Sequence, residues 1–295
     1  MSKPFGFRAL DTEFPATEDG RSYHVGVKPG DVPPYVLVPG SPERCELVNK
    51  LWKDISRPAQ GTRLQYNFMR GKFTGTDMSI CSTGIGAPAS EIAIFELMHG
   101  GGRKFFRVGT CGCIDPYLNP GDMVITTEAK GNYGVVREYL GSLWTDKYIP
   151  SDKLLVECLE NACKKLGVKE VSEVAHSEER ERGSAYKLGR TYSSDSFYHG
   201  QGRKVFAALN EVSGNLIEEL TRERVIDIEM EIAGMNAIMK SIRERGYIEE
   251  LRNVGSGMIA TVVANRVTGD WYEGEDMQLK ALQIASEAFH ILDKS

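Results

Sequence analysis

The stretch from Phe105 to Glu128 constrains the fold more than any other: Phe-Phe-Arg-Val-Gly-Thr-Cys-Gly-Cys-Ile-Asp-Pro-Tyr-Leu-Asn-Pro-Gly-Asp-Met-Val-Ile-Thr-Thr-Glu. It opens with an apolar run that predicts a buried strand and breaks at Gly109, Thr110 and Gly112, where glycine lets backbone approach a ligand closely. Arg107 lies inside that strand. Burying a guanidinium without an anion is costly, so Arg107 is either salt-bridged within the protein or aimed at a bound anion at the strand's carboxyl end.

Two other stretches repeat the design. Tyr35 to Arg44, Tyr-Val-Leu-Val-Pro-Gly-Ser-Pro-Glu-Arg, runs from an apolar strand into a Gly/Pro turn, with Arg44 at the expected start of a helix. Turn N–H groups, a helix N-terminus and an arginine together suit a phosphate-sized anion. Ser79 to Ser90 gives a third strand and glycine turn, followed by the amphipathic Glu91-Ile-Ala-Ile-Phe-Glu-Leu. Strands alternating with helices, each strand ending in a ligand turn, predict an α/β three-layer sandwich. A mixed central sheet would carry helices on both faces, with the site at the strands' carboxyl ends.

Composition narrows the function. A net charge of −5 and no clustered basic tract argue against nucleic acid, and the dispersed arginines suit a small anionic substrate. No window approaches a membrane span and no charged-then-apolar leader opens the chain, so a cytoplasmic protein is expected. The six cysteines read as reduced, buried thiols, since Cys111-Gly-Cys113 is too tightly spaced for a zinc hook and has no partner group nearby. With 41% hydrophobic residues and no shift in composition, residues 23–295 read as one domain behind a polar extension, 1–22.

Further along, Thr62 to Gly71 predicts a strand carrying Arg63, Leu64 and Tyr66, and Glu46 to Trp52 a short helix. Asn132 to Pro150 has no period and reads as a functional or assembly loop, while His176 to Arg182 reads as a solvated charged face. Tyr192 to Arg203 is the second informative block: Gln201 offers donor and acceptor, Arg203 a fixed fork, Phe197 a flat apolar surface. Such a set reads a planar base with carbonyls on either side of an N–H, although a surface turn carries the same residues routinely. Asp227, Glu229 and Glu231 alternate along a strand leading into a helix from Ile232, and a carboxylate buried there wants hydroxyl donors such as those of a ribose. A lone histidine such as His24 is, on spacing alone, an ordinary surface residue.

In order and spacing, Val38-Pro-Gly-Ser-Pro-Glu-Arg44, Cys81-Ser-Thr-Gly-Ile-Gly-Ala-Pro88, Arg107-Val-Gly-Thr-Cys-Gly112 and Glu229-Met-Glu231 resemble the nucleoside phosphorylases of the purine nucleoside phosphorylase and uridine phosphorylase type. The Phe-Tyr-x-Gly-Gln-x-Arg spacing, and Asn265-Arg266 where the purine enzymes have Ser-Asp, are similar to the uridine phosphorylase branch. The resemblance implies phosphorolysis of uridine to uracil and ribose 1-phosphate in pyrimidine salvage. Phosphate would lie on Gly40, Arg44, Arg107 and Thr110, with Arg63 reaching it from a partner subunit. Met230 and Glu231 would hold the ribose, with a partner's His24 at its 5′-hydroxyl. Cys111, Gly112, Phe197, Gln201, Arg203 and Arg266 would face the base. Arg44, Arg107, Gln201, Arg203 and Glu231 would carry catalysis.

The family is built from dimers, so a dimer or a hexamer (a trimer of dimers) is expected. No cofactor or metal is expected: a monovalent cation held at some family interfaces uses a glutamate and a serine that stand here as Leu64 and Ala89, although Ile85 matches. The alternatives are a hydrolytic nucleosidase, a purine nucleoside phosphorylase of the same fold, or a nucleoside-binding protein without turnover.

Overall fold

The computed structural model describes residues 14–59, 65–131, 134–144, 147–174, 180–205, 215–245 and 251–295. The central strands have apolar residues on both faces, so each buries two rows of side chains. In β1 (Tyr35–Pro39), Val36 and Val38 enter one core and Leu37 the other; in β5 (Lys104–Cys113), Phe105 faces the first and Phe106 and Val108 the second. That double burial is why these strands read as continuous apolar runs rather than as alternating ones. The first core is closed by α2 (Ala87–Gly100) and a helix Ile232–Arg245, the second by α4 (Lys153–Lys165) and the C-terminal helix Glu275–Lys294. The expected mixed sheet between helical layers is thus found.

One path through the sheet runs β10 (Val225–Glu229), β9 (Ala185–Ser193), β6 (Met123–Gly131), β11 (Gly255–Asn265), β5, β1, β4 (Thr76–Cys81), β3 (Phe68–Phe73), β2 (Lys53–Ser56). β1, β4, β5 and β11 are parallel to their neighbours in this group, while β6 runs antiparallel to β11. One half of the sheet closes on itself. Asp227 and Ile228 of β10 pair with Cys113 and Gly112 at the end of β5, which also pairs with β11 beyond a bulge at Val262/Ala264. Closure and bulge bring the ends of β5, β10 and β11 to one place, and bulges commonly re-aim side chains beside sites.

Inside this closed part Asp227 is fully buried, and Thr191 Oγ1 donates to it at 2.7 Å. Burial pushes its carboxyl from 3.8 up to about 7, outweighing the Thr191 hydroxyl and the Cys111 thiol beside it. Because the folded value is the higher one, this group's stability contribution is complete below the unfolded value and is lost as pH rises through the window up to about 7. Denaturant melts of wild type and Asp227→Asn should therefore show the wild type losing about 3 kcal/mol relative to the variant between pH 5 and 8. A pH-independent difference would contradict an internal, proton-binding Asp227.

Several expectations change in detail. Of the strand expected over 62–71, residues 62–64 lie outside the described residues, and from Gln65 on the strand begins at Phe68, whose antiparallel partner Cys81 ends its own strand as the chain turns into Thr83 and Gly84. Tyr66 precedes the strand; Arg63 and Leu64 lie outside the described residues. The helix expected over 46–52 is split into Pro42–Glu46 and a tighter turn Leu47–Lys50. Within 132–150 stand a helix Val135–Leu140 and a short strand Ile149–Pro150, each too short to show a period. Arg180, read as solvated, instead pairs with fully buried Asp122, a partner with no signal in the local sequence. Of the expected extension, residues 14–22 are tied back by polar bonds: Ser22 Oγ accepts from Gly26 and Val27, and Arg21 donates to the carbonyls of Gly26 and Pro58. Among the described residues no helix is long and apolar enough to cross a membrane.

Candidate active site

At the carboxyl ends of β1, β5 and β10 lies a cavity of about 490 Å³. It draws Gly40 and Arg44 from the first turn, Arg107, Thr110, Cys111 and Gly112 from β5, Phe197, Gln201 and Arg203 from the loop after β9, and Met230 and Glu231 from the end of β10. Gly40 and Glu231, 191 positions apart in the chain, thus meet because β1 and β5 run parallel and β10, antiparallel to β5, pairs with its last residues and brings its own end to the same place.

One end is cationic. Arg44 and Arg107 are 7% and 5% exposed, so both charges are held out of water. Arg44 Nη1 donates to the Val108 carbonyl at 2.8 Å and Nε to Gln278 Oε1 at 3.1 Å, which anchors it across the mouth of the turn. Burial first, and then the neighbouring Arg107, lower the Arg44 guanidinium to about 10. Arg107 Nη2 donates to Glu231 Oε2 at 2.5 Å, while Nε and Nη1 are buried with no hydrogen-bond partner among the described residues. Of the two readings of Arg107 from sequence, the internal ion pair is present, with Nε also 3.9 Å from Glu229 Oε2, while Nε and Nη1 make no hydrogen bond among the described residues. Gly40 lies against it: a Cβ there would stand 3.5 Å from Arg107 Nη1, ordinary van der Waals contact.

Glu231 is fixed from both sides, accepting the Gly86 N–H at 2.6 Å through its other oxygen. Gly86 has φ +91°, a conformation that favours glycine, and it opens α2, so the carboxylate also lies at the positive end of a helix. Glu229, also lining the cavity, caps the helix Ile232–Arg245: it accepts the N–H groups of Glu231 and Ile232 and the Ser193 hydroxyl. Burial, and then the adjacent Glu231, push the Glu229 carboxyl upward against the opposing pull of Arg107 and the Ser193 hydroxyl.

The opposite end is aromatic and polar. Arg203 stacks 4.2 Å from the Phe197 ring centre, donates to the Phe197 carbonyl at 3.1 Å, and points Nη2 at Gln201 Oε1 at 3.4 Å. Gln201 is almost fully buried. Arg266, expected against the base, is not among the lining residues; its guanidinium donates to the backbone carbonyls of Gln201 and Gly202 at 2.5 and 3.4 Å and braces that loop. Asn265 uses its whole amide on the chain, donating to Asp115 and Leu118 carbonyls and accepting from Val267 and Thr268. The pair is thus a scaffold for this end of the cavity, because a strand end entering a loop leaves backbone groups that side chains must satisfy.

His24 lies outside this cavity, and Arg63 outside the described residues. Trp271, 65% exposed, and Glu273 line the cavity without having been singled out; a lone tryptophan in the polar loop 267–276 was the available signal.

The profile of the phosphorylase superfamily matches residues 34–240. The chain is 34% identical over 284 residues to a uridine phosphorylase of Thermococcus kodakarensis, covering 96% of this chain and 91% of that one. It is 30% identical over 275 residues to a uridine phosphorylase of Klebsiella aerogenes, with 90% and 96% covered. A guanosine phosphorylase of Halorubrum lacusprofundi is 29% identical over 247 residues, 84% and 85% of the two chains. With a profile spanning more than half of it and a relative of such identity along nearly its full length, this chain belongs to the phosphorylase superfamily, as an enzyme of the nucleoside phosphorylase type.

Proposed function

We propose that the protein is a uridine phosphorylase, cleaving uridine with inorganic phosphate to uracil and ribose 1-phosphate. One observation carries the reading most: Arg107 is buried at the cavity's cationic end with Nη1 and Nε making no hydrogen bond among the described residues, beside Arg44 and two glycine turns. A phosphate oxyanion supplies the missing acceptors. In this reading Gly40, Arg44, Arg107 and Thr110 hold phosphate, Met230 and Glu231 hold the ribose hydroxyls, and Phe197, Gln201 and Arg203 hold uracil against Cys111 and Gly112. Arg63 and His24 come from a second copy, in a dimer or in a hexamer built as a trimer of dimers. The chemistry runs without cofactor or metal.

A phosphate oxygen bonds to C1′ as the C1′–N1 bond breaks, and its electron pair leaves with uracil, which then takes up a proton. Positive charge grows on the sugar and negative charge on the base, so donors fixed before the reaction, Gln201 and Arg203, lower the barrier by matching the charge where it develops. Phosphate fixed by Arg44 and Arg107 adds orientation.

Base recognition is tested by Gln201→Ala and Arg203→Ala. Each leaves a base polar group unpaired, at about 2 to 4 kcal/mol, and so should lower uridine kcat/KM by about 30- to 1,000-fold. The melting temperature should stay near wild type, since neither side chain belongs to a hydrophobic core. An ultraviolet assay with phosphate over uridine, thymidine, inosine and guanosine tests the choice of base: uridine should lead. Efficient purine cleavage by wild type would replace the uridine reading with that of a purine enzyme.

A further inference from the structure

Helix α2 buries one carboxylate, Glu96, along a face otherwise made of Ala93, Ile94 and Leu97. A buried carboxylate in mid-helix is costly unless donors surround it. Here the donors come from a segment more than 70 residues away in the chain. Glu96 Oε2 accepts the Val25 N–H at 2.6 Å, both oxygens lie 3.1 Å from the His24 N–H, and Oε1 lies 2.7 Å from His24 Nδ1. An ionised carboxylate only accepts, so Nδ1 carries a ring proton and, in the neutral imidazole, Nε2 keeps its lone pair. The ring is held edge-on between Tyr23 and Tyr66, with centroids 5.0 and 6.1 Å away, and its side chain is 27% exposed.

We propose that Glu96 is a positioning residue for nucleoside cleavage: it fixes the tautomer and orientation of His24 so that Nε2 accepts the 5′-hydroxyl of a nucleoside bound in a second copy of the chain. The inference rests on the proposed function, in which His24 completes a partner's site. Glu96→Gln keeps the size and can still accept from the backbone, but its amide can also donate to Nδ1 and so move the ring proton to Nε2.

The test compares the assembled wild type, Glu96→Gln and His24→Ala on uridine and 5′-deoxyuridine at saturating phosphate. Wild type should prefer uridine, and His24→Ala should lose that preference. Glu96→Gln should lose about tenfold in kcat/KM on uridine, the effect of losing about one hydrogen bond. Its kcat/KM on 5′-deoxyuridine and its KM for phosphate should stay within about twofold of wild type. Equal losses on both nucleosides would reduce Glu96 to a structural residue and overturn the proposal. Loss of preference in His24→Ala but not in Glu96→Gln would overturn the role of Glu96 alone. A preference kept by His24→Ala would remove His24 from the 5′-hydroxyl and overturn both. Nitrogen-15 spectra of the wild-type His24 ring provide a check that needs no variant: a proton on Nδ1 is expected, and a neutral ring protonated only on Nε2 contradicts the proposal.

Discussion

Replacing Arg107 with alanine should lower phosphate-dependent turnover by about 10²- to 10⁴-fold. Two losses combine. The nucleophile loses buried donors aimed at its charge, worth about 3 to 4 kcal/mol in comparable electrostatic sites. Glu231 loses its 2.5 Å partner while staying buried, and breaking a buried pair costs about 3 to 5 kcal/mol in stability. Arg107→Lys separates them: it keeps a charge near Glu231 but lacks the fork, so it should melt closer to wild type while its KM for phosphate stays raised. Steady-state rates over a phosphate series, with thermal melts of both variants, check this. A lysine variant with wild-type phosphate dependence would mean that Arg107 serves only as the counter-ion of Glu231.

Glu231→Gln should cost about 10²- to 10³-fold in kcat/KM on uridine. The substitution keeps the shape and can still accept from Gly86, but it places an amide or a neutral oxygen against Arg107 and weakens the acceptor offered to the sugar hydroxyls. The loss should be smaller with 2′-deoxyuridine, which lacks one of those hydroxyls, so the preference between the two nucleosides should shrink in the variant. Kinetics on the pair read this directly. An equal loss on both substrates would assign Glu231 to holding Arg107 and the turn at Gly86, with no part in reading the 2′-hydroxyl.

The strands and their glycine turns were legible because each is local: an apolar run, a break, and an arginine within a few residues, as at Tyr35 to Arg44 and Phe105 to Gly112. What those turns share was legible only as repetition, and the structure adds the reason, since parallel strands carry their ends to one cavity. The closure of β10 onto β5 was not legible, because the pairing of Asp227 with Cys113 depends on register over more than a hundred residues. Asn265 and Arg266 show the limit of motif reading. The residue types were noticed, but their side chains are spent on backbone carbonyls and amides of the loops around them, contacts that no spacing encodes. Glu96 and Arg180 carry no local signal for the same reason: one sits in an apolar run and the other in a charged one, and only the distant partner distinguishes either from an ordinary helix or surface residue.

The most direct measurement is phosphorus-31 NMR of the purified wild-type protein mixed with uridine and inorganic phosphate, with uracil followed in parallel. One equivalent of a sugar 1-phosphate should appear for each uracil released, and neither should form when phosphate is left out. Uracil released at an undiminished rate without phosphate, with free ribose as the other product, would contradict the account and make the enzyme a hydrolase.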